Sequence, residues 1–169
     1  MTRRTTLAFT AASLLCLGAC PASAQSIKQQ IVGTWTLAEN YILYQDGRKA
    51  EAFGGDQKGL AMLDANGRFS WLIMGGGRKK FASNNRTEGT AEENKAAVFG
   101  SIAYYGTYTV DEATKTVTYN IDRSSFPNWD GTSRKANVTI TGDEFKQQAA
   151  PIPSAAGTYV PHLVWKRVK

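Results

Sequence analysis

The chain has 169 residues, and 20 Lys and Arg against 14 Asp and Glu give a formal net charge of +6. That length fits one domain able to bury a core. Its basic residues are scattered instead of clustered, which argues for a solvated surface and against a nucleic-acid partner.

Residues 1–24 read as a secretion signal: a basic start (Arg3, Arg4), an apolar stretch from about Leu7 to Ala19, and a small-residue exit, Pro21-Ala22-Ser23-Ala24. The apolar stretch falls short of the roughly 20 residues that span a bilayer. Cleavage after Ala24 leaves a domain over 25–169 in the periplasm or secreted beyond it. Leu17-Gly18-Ala19-Cys20 supplies the alternative, a lipobox whose cysteine would carry lipid and anchor a membrane-bound lipoprotein. Both cysteines, Cys16 and Cys20, lie inside this segment, so the soluble form has no thiol for catalysis, disulfides or metal.

A short helical turn is predicted over 26–31. From Thr34 onward apolar and polar residues alternate, with turn signals about every 8 to 12 residues, the pattern of an all-β barrel or sandwich. Asp46-Gly47, Asn66-Gly67 and Gly142-Asp143 supply residues that tolerate positive φ between alternating runs. Strands are predicted near 33–44, 48–53, 58–64 and 68–74. The longest irregular stretch, from Gly75-Gly76-Gly77 to Gly89, is expected to be a flexible loop at the barrel mouth, suited to a lid. Thr90 with Glu93 three residues on makes a capping box for a helix near 90–99, placed to lie across the barrel or close one end. Five more strands follow near 101–110, 116–122, 134–141, 144–148 and 159–168. Eight or nine strands joined mostly by tight turns favour an up-and-down antiparallel β-barrel, because closure removes the exposed sheet edges.

Gly33-Thr34-Trp35 after the helical turn, and Trp165-Lys166-Arg167 in the last strand, resemble the two ends of a lipocalin-type barrel. Lys58-Gly59, Asp64-Ala65-Asn66-Gly67, Gly89-Thr90-Ala91-Glu92-Glu93, Ile102-Ala103-Tyr104-Tyr105-Gly106-Thr107-Tyr108 and Phe126-Pro127-Asn128-Trp129 follow in order between them. Together they are similar to the bacterial and fungal lipocalin-like domain family over nearly all of 25–169. The resemblance implies that Arg167 packs on Trp35 beside Gly33 to seal one end, a structural cation–π contact of about 0.5–2 kcal/mol. It also implies a strand arginine after Gly131-Thr132, either Arg134 or Lys135. Where the family often has histidines, this chain has Tyr119 and Asn120.

His162 is the single histidine, so no multi-histidine metal site forms, and neither metal nor cofactor is predicted. Most carboxylates (Asp46, Asp64, Asp111, Glu112, Asp130, Asp143, Glu144) fall at or beside turns, as backbone caps do. Asp122 is read as a rim ion pair with Arg123. The aromatics are the informative set, since a barrel of about eight strands has room for its own side chains or for one small guest. Tyr41, Trp71, Tyr105, Tyr119, Arg123 and Trp129 are the cavity candidates. With no nucleophile–base set in view, the reading is a binding or carrier protein for a small hydrophobic or aromatic molecule. Two alternatives stand beside it: a cofactor-free isomerase or cyclase using Tyr105, Tyr119, Arg123 and Asp122, and a lipid-anchored envelope interaction module.

Overall fold

The computed structural model describes residues 25–169. The predicted signal segment, with Cys16 and Cys20, lies outside the described residues. The elements, in order, are α1 (Ile27–Ile31), β1 (Gly33–Tyr44), β2 (Lys49–Glu51), β3 (Lys58–Leu63), β4 (Arg68–Met74), α2 (Ala91–Phe99), β5 (Ser101–Asp111), β6 (Thr116–Ser124), a 3-10 turn (Pro127–Trp129), β7 (Ser133–Thr141), β8 (Glu144–Ala149) and β9 (Tyr159–Arg167).

Every strand pairing is antiparallel, in the order β1-β3-β4-β5-β6-β7-β8-β9, and β9 pairs back onto β1. Eight strands therefore close into a barrel. The ninth, β2, is a short hairpin arm on the far half of β1, with Tyr41 opposite Glu51 and Leu43 opposite Lys49.

Inside, alternate side chains from every strand fill one end. Trp35, Trp165, Phe145 and Val117 are fully buried there, with Ile31 of α1 packed beneath them. The helix α1 is only five residues long and too short to be stable alone. It is held at its start by a capping box between Ser26 and Gln29. Glu112, in the β5–β6 turn, accepts from the Ile27 and Lys28 backbone N–H groups, both at 2.9 Å. A carboxylate aimed at free N–H groups at a helix start satisfies donors that the helix itself cannot.

Two interruptions of the ladders decide which side chains face inward. Between Leu37 and Glu39 the β1–β9 register shifts, leaving Ala38 as the extra residue of a bulge. The β5–β6 register shifts between Tyr105 and Gly106, with Asp122 as the extra residue. A bulge inserts one residue, so every side chain beyond it changes faces. Gly106 sits at the second bulge because nothing larger fits: a Cβ there would come within 2.0 Å of the Asn120 carbonyl oxygen.

The 75–89 stretch is irregular, as predicted, but it is tied down along its length. Gly75 N–H donates to the Gly100 carbonyl at 2.8 Å and Gly76 N–H to Gly55 at 3.1 Å. Ala82 N–H donates to Glu93 of α2 at 2.8 Å. Glu93 also completes the predicted capping box with Thr90.

Candidate functional site: an aromatic cavity with one open end

The barrel is plugged at one end by Arg167. Its guanidinium lies 4.1 Å from the Trp35 ring centroid. It also donates to the Val32 carbonyl at 2.9 Å and to the Gln30 carbonyl at 2.6 Å. Trp35 Nε1 donates to the Ile31 carbonyl at 2.9 Å, so helix, first strand and last strand are tied at one place. Gly33 has φ 140° there, and a Cβ on it would stand 2.8 Å from an Arg167 guanidinium nitrogen. The three residues singled out for barrel closure therefore meet.

Above this plug, toward the opposite end, lies a cavity of about 520 Å³. That volume is within the usual range for a small-molecule site. Its walls come from the far halves of the strands: Asn40 and Ile42 of β1, Trp71 and Ile73 of β4, Ile102 and Tyr104 of β5, Tyr119 of β6, Ala136 of β7, Gln147 of β8 and Leu163 of β9. Around the mouth stand Phe53, Val98, Phe99, Phe126 and Trp129. Phe99 is 72% exposed and Val98 62% exposed, so the end of α2 offers apolar side chains at the entrance. The 75–89 loop contributes no wall residue; the helix end takes the place expected for it.

The rings form a connected set. Tyr104 meets Trp129 edge-on at 5.5 Å between centroids, and Trp71 lies 5.5 Å from Tyr104 and 5.1 Å from Tyr119. Such tilted and edge contacts suit the ring quadrupoles and fix the wall's shape. Arg134 is the strand arginine that reaches this wall, its guanidinium 4.0 Å over the Trp129 ring. Lys135 also contributes to the lining.

Few polar atoms face this space. The Tyr119 hydroxyl donates to Gln147 Oε1 at 3.2 Å. Burial drives the Tyr119 phenol well above its ordinary pKa, with the Tyr104 phenol adding to the effect, so it stays protonated. Burial pushes Tyr104 up in the same way, against the opposing pull of Arg134. Asn40 is held from the side, its amide donating to Gln57 Oε1 at 2.7 Å while Gln57 Nε2 donates back to the Asn40 carbonyl at 3.1 Å.

Of the six cavity candidates, Trp71, Tyr119 and Trp129 line the cavity and Tyr41, Tyr105 and Arg123 do not. Tyr41 lies beyond the Ala38 bulge and is turned outward, where its ring stacks on His162 at 4.9 Å with Lys49 Nζ 3.8 Å above it. Strict alternation from Trp35 would have pointed it inward. Arg123 lies beyond the Asp122 bulge and is turned out by the same geometry. Tyr105 takes the face opposite Tyr104 and is 46% exposed. Gln147, Arg134, Asn40 and Phe126 were not among the candidates. Residue type gives no signal for the first three, since a polar side chain in an alternating strand normally points to water.

The expected Asp122–Arg123 pair is also replaced. Asp122 reaches Arg68 at 3.2 Å, and Arg123 lies 3.8 Å from Asp130. The four residues of the enzyme alternative are thereby dispersed: Tyr119 is inside, while Tyr105, Asp122 and Arg123 lie on the outer surface. Most of the turn carboxylates cap backbone as read, Asp64 accepting from Arg68 N–H at 2.8 Å and Asp111 from Thr114 N–H at 3.0 Å. Among the described residues no three His, Cys, Asp or Glu side chains gather as a metal site requires.

The sequence profile of the lipocalin-like domain matches residues 32–168. Over 77 residues the chain is 32% identical to the 4'-hydroxy-3'-methoxypropiophenone carrier protein of Aspergillus oryzae, covering 42% of this chain and 69% of that one. Among solved structures it is similar to a lipocalin-like protein from Bacteroides uniformis, with 12% identity and a TM-score of 0.42 over 82% of this chain and 99% of the other. An uncharacterized protein from Bacteroides eggerthii matches at 16% identity and a TM-score of 0.39, over 81% and 98% of the two chains.

Proposed function

Because the chain belongs to the lipocalin-like domain family, whose profile spans nearly all of the barrel, we propose that it is a binding protein that carries one small aromatic molecule in its cavity. The observation that carries this reading is the cavity itself: about 520 Å³, walled by Trp71, Tyr104, Tyr119 and Trp129, sealed below by Trp35 and Arg167 and open beside Phe99. Flat rings set edge-on around a preformed space match a flat guest, and burying its apolar area yields about 25 cal/mol per Å². The carrier from Aspergillus oryzae takes an aromatic ketone by its name, and its similarity supports the same class of cargo here.

Export belongs to this proposal. Its support is the basic, apolar and small-residue order of residues 1–24, with cleavage after Ala24 giving a periplasmic or secreted carrier and lipidation at Cys20 giving an anchored one.

Native mass spectrometry of protein purified without refolding, with displacement of a hydrophobic dye, tests the reading. The expected result is a retained small molecule or a saturable dye site that Ala136→Phe, which places a ring into the cavity, weakens at least about tenfold. A barrel that retains nothing and binds no dye overturns it.

A further inference from the structure

One cation on the cavity wall has no counter-ion. Of the described arginines, Arg48, Arg68, Arg123 and Arg167 each meet an aspartate, and Arg78 donates to the Gly75 carbonyl at 3.1 Å. Arg86 lies exposed on the 75–89 loop. Arg134 is half-buried in the wall, and among the described residues it neither pairs with a carboxylate nor donates to a protein acceptor. The carboxylate closest along the chain, Asp130, is engaged elsewhere: it accepts from Ser124 N–H at 2.7 Å and lies 3.8 Å from Arg123. No Asp or Glu is among the residues that line the cavity.

The Arg134 guanidinium is carried over the Trp129 ring, 4.0 Å from its centroid. That contact fixes the group's place, while its N–H donors form a planar fork that matches the two oxygens of a carboxylate. Arg134 projects from the same face of β7 as Ala136, a buried wall residue, so its side of the strand is the cavity side. Its charge is felt inside, where it opposes the burial that keeps the Tyr104 phenol protonated. Half-burial strengthens an ion pair relative to one in open water, and a place beside the mouth spares a carboxylate the full cost of dehydration. Lys135 takes the alternate orientation and is exposed at the rim.

We propose that Arg134 is an anion subsite at the mouth: the cargo carries one carboxylate, paired with the Arg134 guanidinium, and its ring lies inward against Trp71 and Tyr104. This assignment rests on the carrier reading and adds to it the charge of the cargo and the end that enters first.

The test compares 2-naphthoate with 2-acetylnaphthalene, which has a methyl group in place of the charged oxygen, by titration calorimetry on the purified protein. Arg134→Gln should weaken 2-naphthoate at least about tenfold and the ketone about threefold or less, so that the ketone also reports an intact barrel. Lys135→Gln should cost 2-naphthoate about threefold or less. Raising the salt from about 0.05 to 0.5 M should weaken 2-naphthoate at least about threefold in the wild type and leave the ketone within about twofold. This second measurement decides the matter if Arg134→Gln binds neither compound. The subsite is overturned, and the carrier reading left standing, if the wild type binds the ketone while 2-naphthoate responds to neither Arg134→Gln nor salt. A loss with Lys135→Gln as large as that with Arg134→Gln overturns it as well, since the attraction would then be a diffuse rim charge. Failure to bind either compound, together with no dye site, sinks both readings.

Discussion

Arg167, in the last strand, lies over the ring of Trp35, in the first, at 4.1 Å, and the two are direct partners in the β1–β9 ladder. That pairing is the seam at which the barrel closes. It joins the cation–π contact to two hydrogen bonds into the end of α1, so one side chain ties the seam to the plug.

Replacing Arg167 by Ala removes the contact over the indole and leaves the Gln30 and Val32 carbonyls without these donors. We expect a loss of about 2–3 kcal/mol in urea unfolding, with Arg167→Lys recovering less than half because an ammonium cannot span both carbonyls while covering the ring. A loss under about 0.5 kcal/mol for Arg167→Ala would show that the seam holds without this residue.

Glu112→Ala should loosen α1 while sparing the barrel. The carboxylate accepts two N–H groups at the helix start, an arrangement worth about 1 kcal/mol. Hydrogen exchange at the backbone amides of residues 27–31 should speed up, with those of Val117 and Trp165 unchanged. Uniform change across both sets would place the effect in the whole fold instead.

His162 stays neutral to a lower pH than a free imidazole. Burial is the main cause, and the Lys49 ammonium adds to it. Its folded pKa is therefore below 6.5 while the unfolded chain keeps the ordinary value, so the unfolded state takes up the proton first. Stability is expected to fall as pH drops through about 6.5 and to level off below the folded pKa. Proton NMR of the imidazole follows the titration directly. Lys49→Met should raise the midpoint only part of the way, because burial remains. A wild-type midpoint at or above 6.5 would contradict this account.

Much of the architecture was legible without coordinates. Alternation with regular turn signals marked the nine strands, and Thr90 with Glu93 marked α2, because strand and cap patterns are set by neighbours a few residues apart. The Trp35–Arg167 seam was legible only through the resemblance of its two flanking motifs, since nothing local joins the chain's ends. At the cavity, Trp71 and Trp129 could be picked out as large rings. Gln147 could not, because its value lies in being a polar group turned inward.

What the sequence by itself determined is therefore the strands and their turns, consequences of short-range periodicity and turn chemistry, while the residues of the plug came from the family resemblance. Which faces look inward past Ala38 and Asp122 was decided only by tertiary structure. A bulge adds one residue to one strand against its neighbour, and closure of eight strands, not the local pattern, sets where that mismatch is absorbed. That single-residue shift carries Tyr41 and Arg123 to the surface and brings Asn40 and Ile42 to the cavity wall.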